Sequence, residues 1–427
     1  MLDIRLIRAE PDRIKAELAK VGLAAAEVDA LLEADRRRRE AIQAVEQLRA
    51  ERTTASKAIR DIKDPAERER AIAAQRTLGE RMPAAEADVA AAEAEFERRM
   101  LEMPNLPHPS VPVGADESAN VVVRTEGTPA VFAFTPLPHW EIGQRLGIID
   151  FERGVKISGS RFYVLRGSGA RLQRGLIAWM LDLHTRAHGY TEIYPPAMVK
   201  RECLVGTGQL PKFGENLYRD AEEDFWFVPT AEVPVTNLHR DEVVESASLP
   251  IAYAAYSPCF RREKMSAGRD VRGIKRGHQF DKVELVRLVH PEHSESELSL
   301  LLGHAEAVCR GLGLAYRVVQ MCTGDLSFQA AMKYDLEVWA PGCQEWLEVS
   351  SCASFGDFQA RRANIRFRPQ GGGKPELVHT LNGSGLALPR VMIAVLETYQ
   401  RADGSVVLPE ILRPFVGVDV LAAGAPT

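Results

Sequence analysis

The chain has 427 residues, of which 45% are hydrophobic and 7% aromatic, and its formal net charge at pH 7 is −5. That length is enough for two or three domains. No stretch approaches the roughly 20 consecutive apolar residues that a membrane span requires. The negative charge excludes a general basic coat for nucleic acid, so any contact with RNA has to be local.

The N-terminus and the cysteines indicate the compartment. Residues 1–5 mix acidic and basic side chains and show no apolar signal core, which predicts that the chain is not exported. The six cysteines form no C-x-x-C pair, so they are expected to be scattered reduced thiols. We therefore expect a cytoplasmic protein that does not associate with membranes.

The first hundred residues are predicted to be helical. Residues 1–22 are expected to form a short strand or turn and then a helix from about Asp12 to Gly22. Residues 28–100 are rich in Ala, Glu and Arg, and in their second half apolar side chains recur every three or four residues, as in a coiled coil. Asp64, Pro65 and Glu67 form the signature of a capped helix start. The segment is therefore predicted to be an antiparallel two-helix hairpin.

Such a hairpin is typical either of a dimerisation coiled coil or spacer, or of an RNA-binding arm. From residue 36 to residue 76 the chain has twelve Lys or Arg and seven Asp or Glu, a local balance of 12 − 7 = +5. This excess favours contact with phosphate groups. This local charge balance alone supports the two interpretations about equally. The candidate RNA-contacting residues are Arg49, Arg52, Lys57 and Arg60.

A run of prolines at residues 104–112 ends the helical segment and marks a linker. The predicted domains are residues 1–103, a linker at 104–126, and a catalytic domain at 127–427. Within the last, residues 335–339 and 345–349 are expected to pair as antiparallel strands. Neither G-x-G-x-x-G after a strand nor G-x-x-x-x-G-K occurs, so a nucleotide site here must belong to an antiparallel sheet.

Two segments carry the chemistry. Residues 259–263 (CFRRE), continuing through 278–280 (HQF) to Glu284, are predicted to form a strand, a basic loop and a second strand. Residues 381–390 (LNGSGLALPR) are predicted to form a glycine-rich strand that leads into an amphipathic helix at 391–401. An arginine from each segment in one pocket suits polyphosphate, because guanidinium binds phosphate oxygens as a planar fork.

Together these segments resemble motifs 2 and 3 of class II aminoacyl-tRNA synthetases. Residues 207–213 (TGQLPKF), 230–232 (TAE) and 272–273 (RG) further resemble bacterial-type seryl-tRNA synthetases. The resemblance covers essentially the whole chain. It implies an α+β fold, with an N-terminal antiparallel two-helix coiled-coil arm and a class II catalytic domain built on an antiparallel sheet flanked by helices.

The resemblance also implies the activity. ATP would activate L-serine to seryl-adenylate, and the seryl group would pass to tRNA(Ser), which the helical arm binds; tRNA(Sec) as a further acceptor is left open. Residues 188–190 (HGY) through 195–196 (PP) resemble motif 1, which implies a homodimer. Residues 206–213 are expected to form a mobile loop over the amino acid. The motif 2 loop at 264–268 (KMSAG) departs from many relatives, which leaves the acceptor-stem preference open.

The serine-binding residues implied by the resemblance are Thr230, Ala231, Glu232, Arg261, Glu284 and Ser384. A carboxylate such as Glu232 suits the substrate ammonium group. Glu284 and Ser384 would read the serine hydroxyl, since paired donors and acceptors discriminate a hydroxyl well. From the residues alone, Ser384 is equally well explained as a small residue in a glycine-rich strand. Thr230 stands where the zinc-dependent branch has cysteine, so no zinc is expected.

The implied ATP-binding residues are Arg261, Arg262, Glu263, Gly277, Phe280, Glu348, Val349, Ser350, Ser351 and Arg390. Of these, Arg261 on the α-phosphate and Arg390 on the γ-phosphate are the implied catalytic residues. Glu263 would lie near the adenine amino group and Phe280 would stack on the ring. Glu348 and Ser351 would hold Mg²⁺, which prefers oxygen ligands.

Two rival functions are less well supported. One is a ligase that charges a carrier protein or a metabolite; the presence of the arm argues against it. The other is an inactive RNA-binding paralogue, against which the intact site residues argue. The sequence does not separate a housekeeping enzyme from a duplicated, inhibitor-resistant copy.

Overall fold

The structure is a computed structural model that describes residues 1–264 and 272–423. Two compact units make up the chain: Leu2–Pro104, and a larger unit that starts at Asn105 and also includes Met1. Within the larger unit, the Asn105 side-chain amide donates to the carbonyls of Gln329 and Phe355. Among the described helices, none has the length and apolar character needed to cross a membrane.

The helices of the described residues fall into both units. In the smaller unit they are α1 Ile4–Ala9, α2 Pro11–Lys20, α3 Ala25–Asp61 and α4 Pro65–Glu102. In the larger unit they are α5 His139–Arg145, α6 Phe151–Ser158, α7 Ser168–Asp182, α8 Arg201–Gly206, α9 Glu232–Thr236, α10 Ser294–Gly311, α11 Phe358–Ala363, α12 Leu388–Thr398 and α13 Arg413–Val416.

The described strands all lie in the larger unit. They are β1 Val121–Glu126, β2 Ile149–Asp150, β3 Val164–Leu165, β4 Thr191–Ile193, β5 Met198–Lys200, β6 Phe225–Phe227, β7 Val243–Glu245, β8 Ile251–Phe260, β9 Gln279–Val289, β10 Tyr316–Gln320, β11 Met332–Ala340, β12 Glu345–Ser354, β13 Arg366–Arg368, β14 Glu376–Leu377, β15 His379–Ala387, β16 Val406–Val407 and β17 Val420–Leu421.

The smaller unit confirms the predicted hairpin of two long helices. Val45 and Leu48 of α3 pack against Met82 of α4 in one apolar seam. Arg49 and Glu86 form an ion pair of 2.8 Å between the two helices. Apolar burial along one stripe on each helix therefore holds α3 against α4.

The start of the chain corrects one prediction, because the expected strand or turn is the helix α1. The Asp3 carboxylate accepts a hydrogen bond from the backbone N–H of Arg5 and caps this helix. Ile7 is fully buried. A helix of six residues is too short to show a helical period in the sequence, so the cap and the burial of one side chain decide the conformation.

The larger unit is built on a sheet whose strand order, within the described residues, is β1-β10-β11-β12-β15-β9-β8-β4. Neighbouring strands are antiparallel, except that β4 and β8 are parallel. The predicted pairing of residues 335–339 with 345–349 is confirmed in β11 and β12. The predicted α+β fold, built on an antiparallel sheet flanked by helices, is thus confirmed.

Helix α12 starts earlier than predicted. The sequence indicated residues 391–401, whereas the helix spans Leu388–Thr398. Pro389 occupies the first turn, where its missing N–H costs no hydrogen bond. Arg390 consequently lies in the first turn of the helix rather than before it, while Met392 and Leu396 are fully buried.

The cap of α4 gives a test of the hairpin. The Asp64 carboxylate accepts from the Glu67 N–H at 2.9 Å, so Asp64→Ala should destabilise the start of α4 by about 1 kcal/mol. Amide hydrogen exchange in the first turns of α4 should become faster, with no change in the larger unit. Asp61→Ala, at the end of α3, is the matched control and should leave that exchange unchanged. Equal protection in both variants would show that the cap contributes nothing.

Candidate functional site

A cavity of about 330 Å³ opens beside the central strands of the sheet. Its lining includes these residues singled out from the sequence: Thr230, Glu232, Arg261, Glu263, Gly277, Phe280, Glu348, Val349, Ser351, Ser384 and Arg390. Gln209, from the loop predicted to lie over the amino acid, is also in the lining. No individual binding role was predicted for the remaining lining residues: Lys275, Arg276, Lys282, Ser327, Gln329, Lys333, Ala353, Phe355, Asn382, Ala387 and Pro389. Residues from both chemical segments therefore meet in one cavity.

Four of the predicted binding residues lie beside this lining rather than in it. Ala231 and Glu284 are fully buried. The Ser350 hydroxyl donates to the carbonyl of Ser384 at 2.7 Å and so joins β12 to β15. The guanidinium of Arg262 lies 6.0 Å from the centre of the Tyr218 ring.

Two carboxylates form a polar floor at the cavity: Glu232 is part of the lining, and Glu284 lies beside it, hydrogen-bonded to the lining residues Thr230 and Asn382. Glu232 and Glu284 are 3% and 0% exposed, and the side-chain amide of Asn382 donates to both, at 3.0 and 3.1 Å. The hydroxyl of Thr230 donates to Glu284 at 2.9 Å, and Lys282 forms an ion pair with the same carboxylate. Burial of such groups is tolerated because each oxygen has a hydrogen-bond donor.

The pKa of Glu232 is raised to about 7. Burial is the largest cause and the negative charge of Glu284 adds to it, while the hydrogen bond from Gln359 acts in the opposite direction. A carboxyl group in this environment gains from a cation placed next to it, since the cation offsets both the desolvation and the repulsion. The floor of the cavity is therefore suited to an ammonium group.

Arg261 sits at the end of β8 and is held from two sides. Its Nε donates to the carbonyl of Pro229 at 3.3 Å, and its guanidinium lies 5.0 Å from the centre of the Phe280 ring. The β8–β9 register explains the contact, because Cys259 pairs with Phe280 across the two strands. The guanidinium of Arg261 and the face of the Phe280 ring are thus adjacent.

Arg390 lies in the first turn of α12 and reaches toward β12. Its Nη1 donates to the backbone carbonyl of Glu348 at 2.7 Å and lies 3.4 Å from the carboxylate of the same residue. Burial acts to raise the pKa of Glu348, yet the charges of Arg390 and Lys333 prevail and lower it. Glu348 is thereby kept ionised and available to a cation.

A β-bulge places Glu348 and Ser351 on the same side of β12. Residues three apart in a regular strand point to opposite faces. Here Leu336 pairs with Ser350 and Glu337 with Glu348, so Val349 is an extra residue with no partner on β11. The extra residue reverses the alternation, and both oxygen-bearing side chains line the cavity. The sequence showed the two residues but not the bulge.

Residues 272–277, which we call the second limb of the basic loop, place two more cations at the cavity. Arg276 donates to the Glu263 carboxylate at 3.0 Å, and Lys275 forms an ion pair with Glu345. Lys264 is described, and its backbone N–H donates to Asn216 at 3.1 Å. Residues 265–268 of the predicted motif 2 loop lie outside the described residues.

The arm residues predicted to contact RNA all lie on α3. Arg52, Lys57 and Arg60 are exposed, and Arg49 is exposed while paired with Glu86. They belong to the smaller unit and share one long helix. These four basic side chains are therefore presented to solvent.

Comparison with known proteins places these features in a family. Residues 215–399 match the family model of the class II tRNA synthetase core domain (G, H, P, S and T), and residues 1–107 match that of the seryl-tRNA synthetase N-terminal domain. A serine–tRNA ligase of Roseiflexus sp. (strain RS-1) is 60% identical over 417 residues, 98% of each chain.

Solved structures give the same result. The chain is similar to seryl-tRNA synthetase from Pyrococcus horikoshii complexed with ATP, with a TM-score of 0.92, 36% identity, and coverage of 99% of this chain and all of the other. It is also similar to a cytoplasmic serine–tRNA ligase from Naegleria fowleri in complex with AMP, with a TM-score of 0.86, 28% identity, and coverage of 99% of each chain.

The raised pKa of Glu232 predicts a pH dependence of stability. A carboxyl group whose pKa is about 7 when folded, against about 4.3 in an unfolded chain, stabilises the fold fully only below the lower value. That contribution is lost by about pH 7. The free energy of unfolding of wild type, relative to Glu232→Gln, should therefore fall between about pH 4 and pH 7. Glu152→Gln, at an exposed site, should show no such trend, and a flat difference for Glu232→Gln would contradict the assignment.

Proposed function

The chain belongs to the seryl-tRNA synthetases and is a serine–tRNA ligase, and on that premise we propose which substrate or ion each site residue binds. The observation that carries the proposal is the meeting of Arg261, Arg390 and the buried Glu232 in a single cavity, with the buried Glu284 beside it. One part of the cavity is suited to an ammonium group and the other to polyphosphate.

Serine binds at the floor formed by Glu232 and Glu284. The Glu232 carboxylate and the Thr230 hydroxyl hold the α-ammonium group, which relieves the repulsion between the two carboxylates. Arg261 faces the substrate carboxylate. Glu284 and Ser384 read the side-chain hydroxyl, which a polar site distinguishes from a methyl group far better than an apolar pocket can. Ala231 shapes the turn that carries Thr230 and Glu232.

ATP binds along the arginine side of the cavity. Phe280 stacks on the adenine and Glu263 accepts from its amino group, assisted by the backbone around Gly277. Arg261 binds the α-phosphate and Arg390 the γ-phosphate, with Arg262 and the β12 residues 349 and 350 alongside. Guanidinium groups keep their charge and match the geometry of phosphate oxygens.

Mg²⁺ is the metal ion that the residues of β12 fit. The bulge at Val349 turns the Glu348 carboxylate and the Ser351 hydroxyl to the same side, and these are the hard oxygen donors that Mg²⁺ prefers. Glu348 and Ser351 would hold the ion, and its positive charge would help to neutralise the charge of the phosphate groups. We propose no role for zinc in this cavity.

The reaction proceeds in two steps. An oxygen of the serine carboxylate attacks the α-phosphorus in line, and the bond to pyrophosphate breaks to leave seryl-adenylate. A terminal ribose hydroxyl of the tRNA then attacks the acyl carbon, its proton is lost, and AMP departs. Neither step needs a protein nucleophile, because positioning and electrostatic stabilisation of the phosphate charge lower the barrier.

The partner of the second step is tRNA(Ser), bound by the helical arm through Arg49, Arg52, Lys57 and Arg60. Counterion release from the RNA backbone supplies the affinity. Residues 188–196 build the interface of a homodimer, and the enzyme acts in the cytoplasm. These statements rest on the family and on the exposed basic side chains of α3.

Conservative changes at the two arginines test the ATP site. Arg261→Lys and Arg390→Lys should each lower serine-dependent ATP–pyrophosphate exchange by at least about 100-fold, because lysine cannot reproduce the fork on phosphate. Arg317→Lys, on β10, keeps the charge of an arginine that pairs with Glu337 and is the control, with activity near that of wild type. Exchange within threefold of wild type for both site variants would overturn these roles.

Removal of the arm charges separates the two steps. The quadruple variant Arg49→Ala, Arg52→Ala, Lys57→Ala, Arg60→Ala should retain exchange activity while the KM for tRNA in aminoacylation rises by at least about tenfold at moderate salt. Arg98→Ala, which removes a charge paired with Glu95 and Glu102 on α4, should behave as wild type. An unchanged KM for tRNA would assign the arm to another role.

A further inference from the structure

A buried histidine–glutamate pair lies next to the cavity, and the steps above do not use it. His139, at the start of α5, and Glu397, near the end of α12, are both 0% exposed. The ring Nδ1 lies 2.9 Å from a Glu397 oxygen, and the backbone N–H of His139 donates to the same oxygen at 2.8 Å. A pair buried this deeply must have each polar atom satisfied.

The partners of the ring fix its tautomer. The backbone N–H of Ile274 donates to Nε2 of His139 at 3.1 Å, so Nε2 is the acceptor and Nδ1 carries the proton. That proton is donated to Glu397. The second oxygen of Glu397 accepts from the backbone N–H groups of Gly342 and Cys343, at 2.9 and 3.0 Å. The chain of hydrogen bonds thus runs from Glu397 through the ring to Ile274.

His139 and Glu397 hold the second limb of the basic loop, residues 272–277, in place. A Cβ at Gly273 would lie only 2.0 Å from Nε2 of His139, so the limb passes directly against the ring. The neighbouring Trp140 ring faces the Arg272 guanidinium at 4.6 Å and the Lys275 ammonium at 5.9 Å. These contacts fix the limb immediately before Lys275, Arg276 and Gly277, which line the cavity.

Helix α12 supports residues 272–277 at two points, one by direct contact and one through His139. Near its start, Nε of Arg390 donates to the carbonyl of Lys275 at 3.3 Å. Near its end, Glu397 acts on Ile274 through His139. The helix that carries the arginine proposed for the γ-phosphate therefore also sets the position of the limb that faces the nucleotide.

We propose that His139 and Glu397 are positioning residues for ATP: through the acceptor Nε2 they hold residues 272–277 in the geometry that nucleotide binding requires. The inference rests on the proposed ATP site and goes beyond it, because neither residue lines the cavity. In this role the hydrogen-bond acceptor at Nε2 of His139 is required for ATP binding, and burial of the ring alone is not sufficient.

A metal site is the competing explanation of this cluster. His139, Cys343 and Glu397 offer ligand atoms within 4.8 Å of one another. Their hydrogen bonds favour the positioning role, because Sγ of Cys343 donates to Glu397 at 3.1 Å and both carboxylate oxygens already accept backbone N–H groups. Burial raises the pKa of the Cys343 thiol, and Glu397 raises it further, so the thiol stays a donor.

Two substitutions at His139 distinguish loss of the Nε2 acceptor from a general packing effect. Glutamine places its amide near the Nε2 position and can accept from Ile274, whereas asparagine reaches only as far as Nδ1. In serine-dependent ATP–pyrophosphate exchange, His139→Asn should raise the KM for ATP by about tenfold, the loss expected for one buried hydrogen bond. The KM for serine should change less than about twofold, and His139→Gln should restore most of the loss.

The outcomes are distinguishable. Equal KM values for ATP in the two variants, or an equal rise in the KM for serine, would overturn the positioning role. One equivalent of zinc in the wild-type protein, lost from Cys343→Ser, would establish the metal site instead. No exchange by wild type with serine would be a failure of the proposed function itself. If His139→Asn does not fold, Gly273→Ala carries the same expectation for ATP, because its Cβ would clash with the His139 ring and move residues 272–277 away from it.

Discussion

The candidate site depends on one amide group, that of Asn382, which is placed between two buried carboxylates. Glu232 and Glu284 would repel each other, and burial adds a desolvation cost to each. Asn382 donates to both, and Thr230 and Lys282 supply further partners to Glu284. Donors satisfy both buried carboxylates, and the pKa of Glu232 is raised, so a cation placed between them would be stabilised without rearrangement.

The register of the sheet brings these groups together. Ser384 of β15 lies opposite Glu284 of β9. A register shift between Ser384 and Leu386 makes Gly385 the extra residue on β15, much as Val349 is on β12. Bulges re-aim side chains, and here two neighbouring strands carry one each. The positions of Ser384 on β15 and of the candidate metal ligands Glu348 and Ser351 on β12 therefore depend on these two bulges and not on the regular alternation of the strands.

Much of the fold could be predicted from the sequence, because long periodic segments and a capped helix start are local signals. The hairpin at residues 28–100 and the β11–β12 pair are of this kind. Helix α1 could not be predicted, since six residues are too few to show a period. Helix α12 was predicted three residues late, because a proline in its first turn was interpreted as preceding the helix.

The site was predictable only where a motif identified it. Arg261 and Phe280 follow from motif 2, and both line the cavity. Lys275, Arg276 and Lys333 line it as well, yet a basic residue in a loop or strand gives no sign of where it points. The His139–Glu397 pair is 258 residues apart in the chain, so only the fold brings it together. The roles assigned to individual residues stay predictions.

The most direct measurement is ATP–pyrophosphate exchange by the wild-type protein with Mg²⁺ and each of the twenty amino acids in turn, followed by aminoacylation of total tRNA with those that react. We expect exchange with serine, discrimination against alanine by about 10⁴-fold because the pocket pairs with a hydroxyl, and transfer of serine to tRNA. Exchange with alanine comparable to that with serine, or no exchange with serine at all, would contradict it.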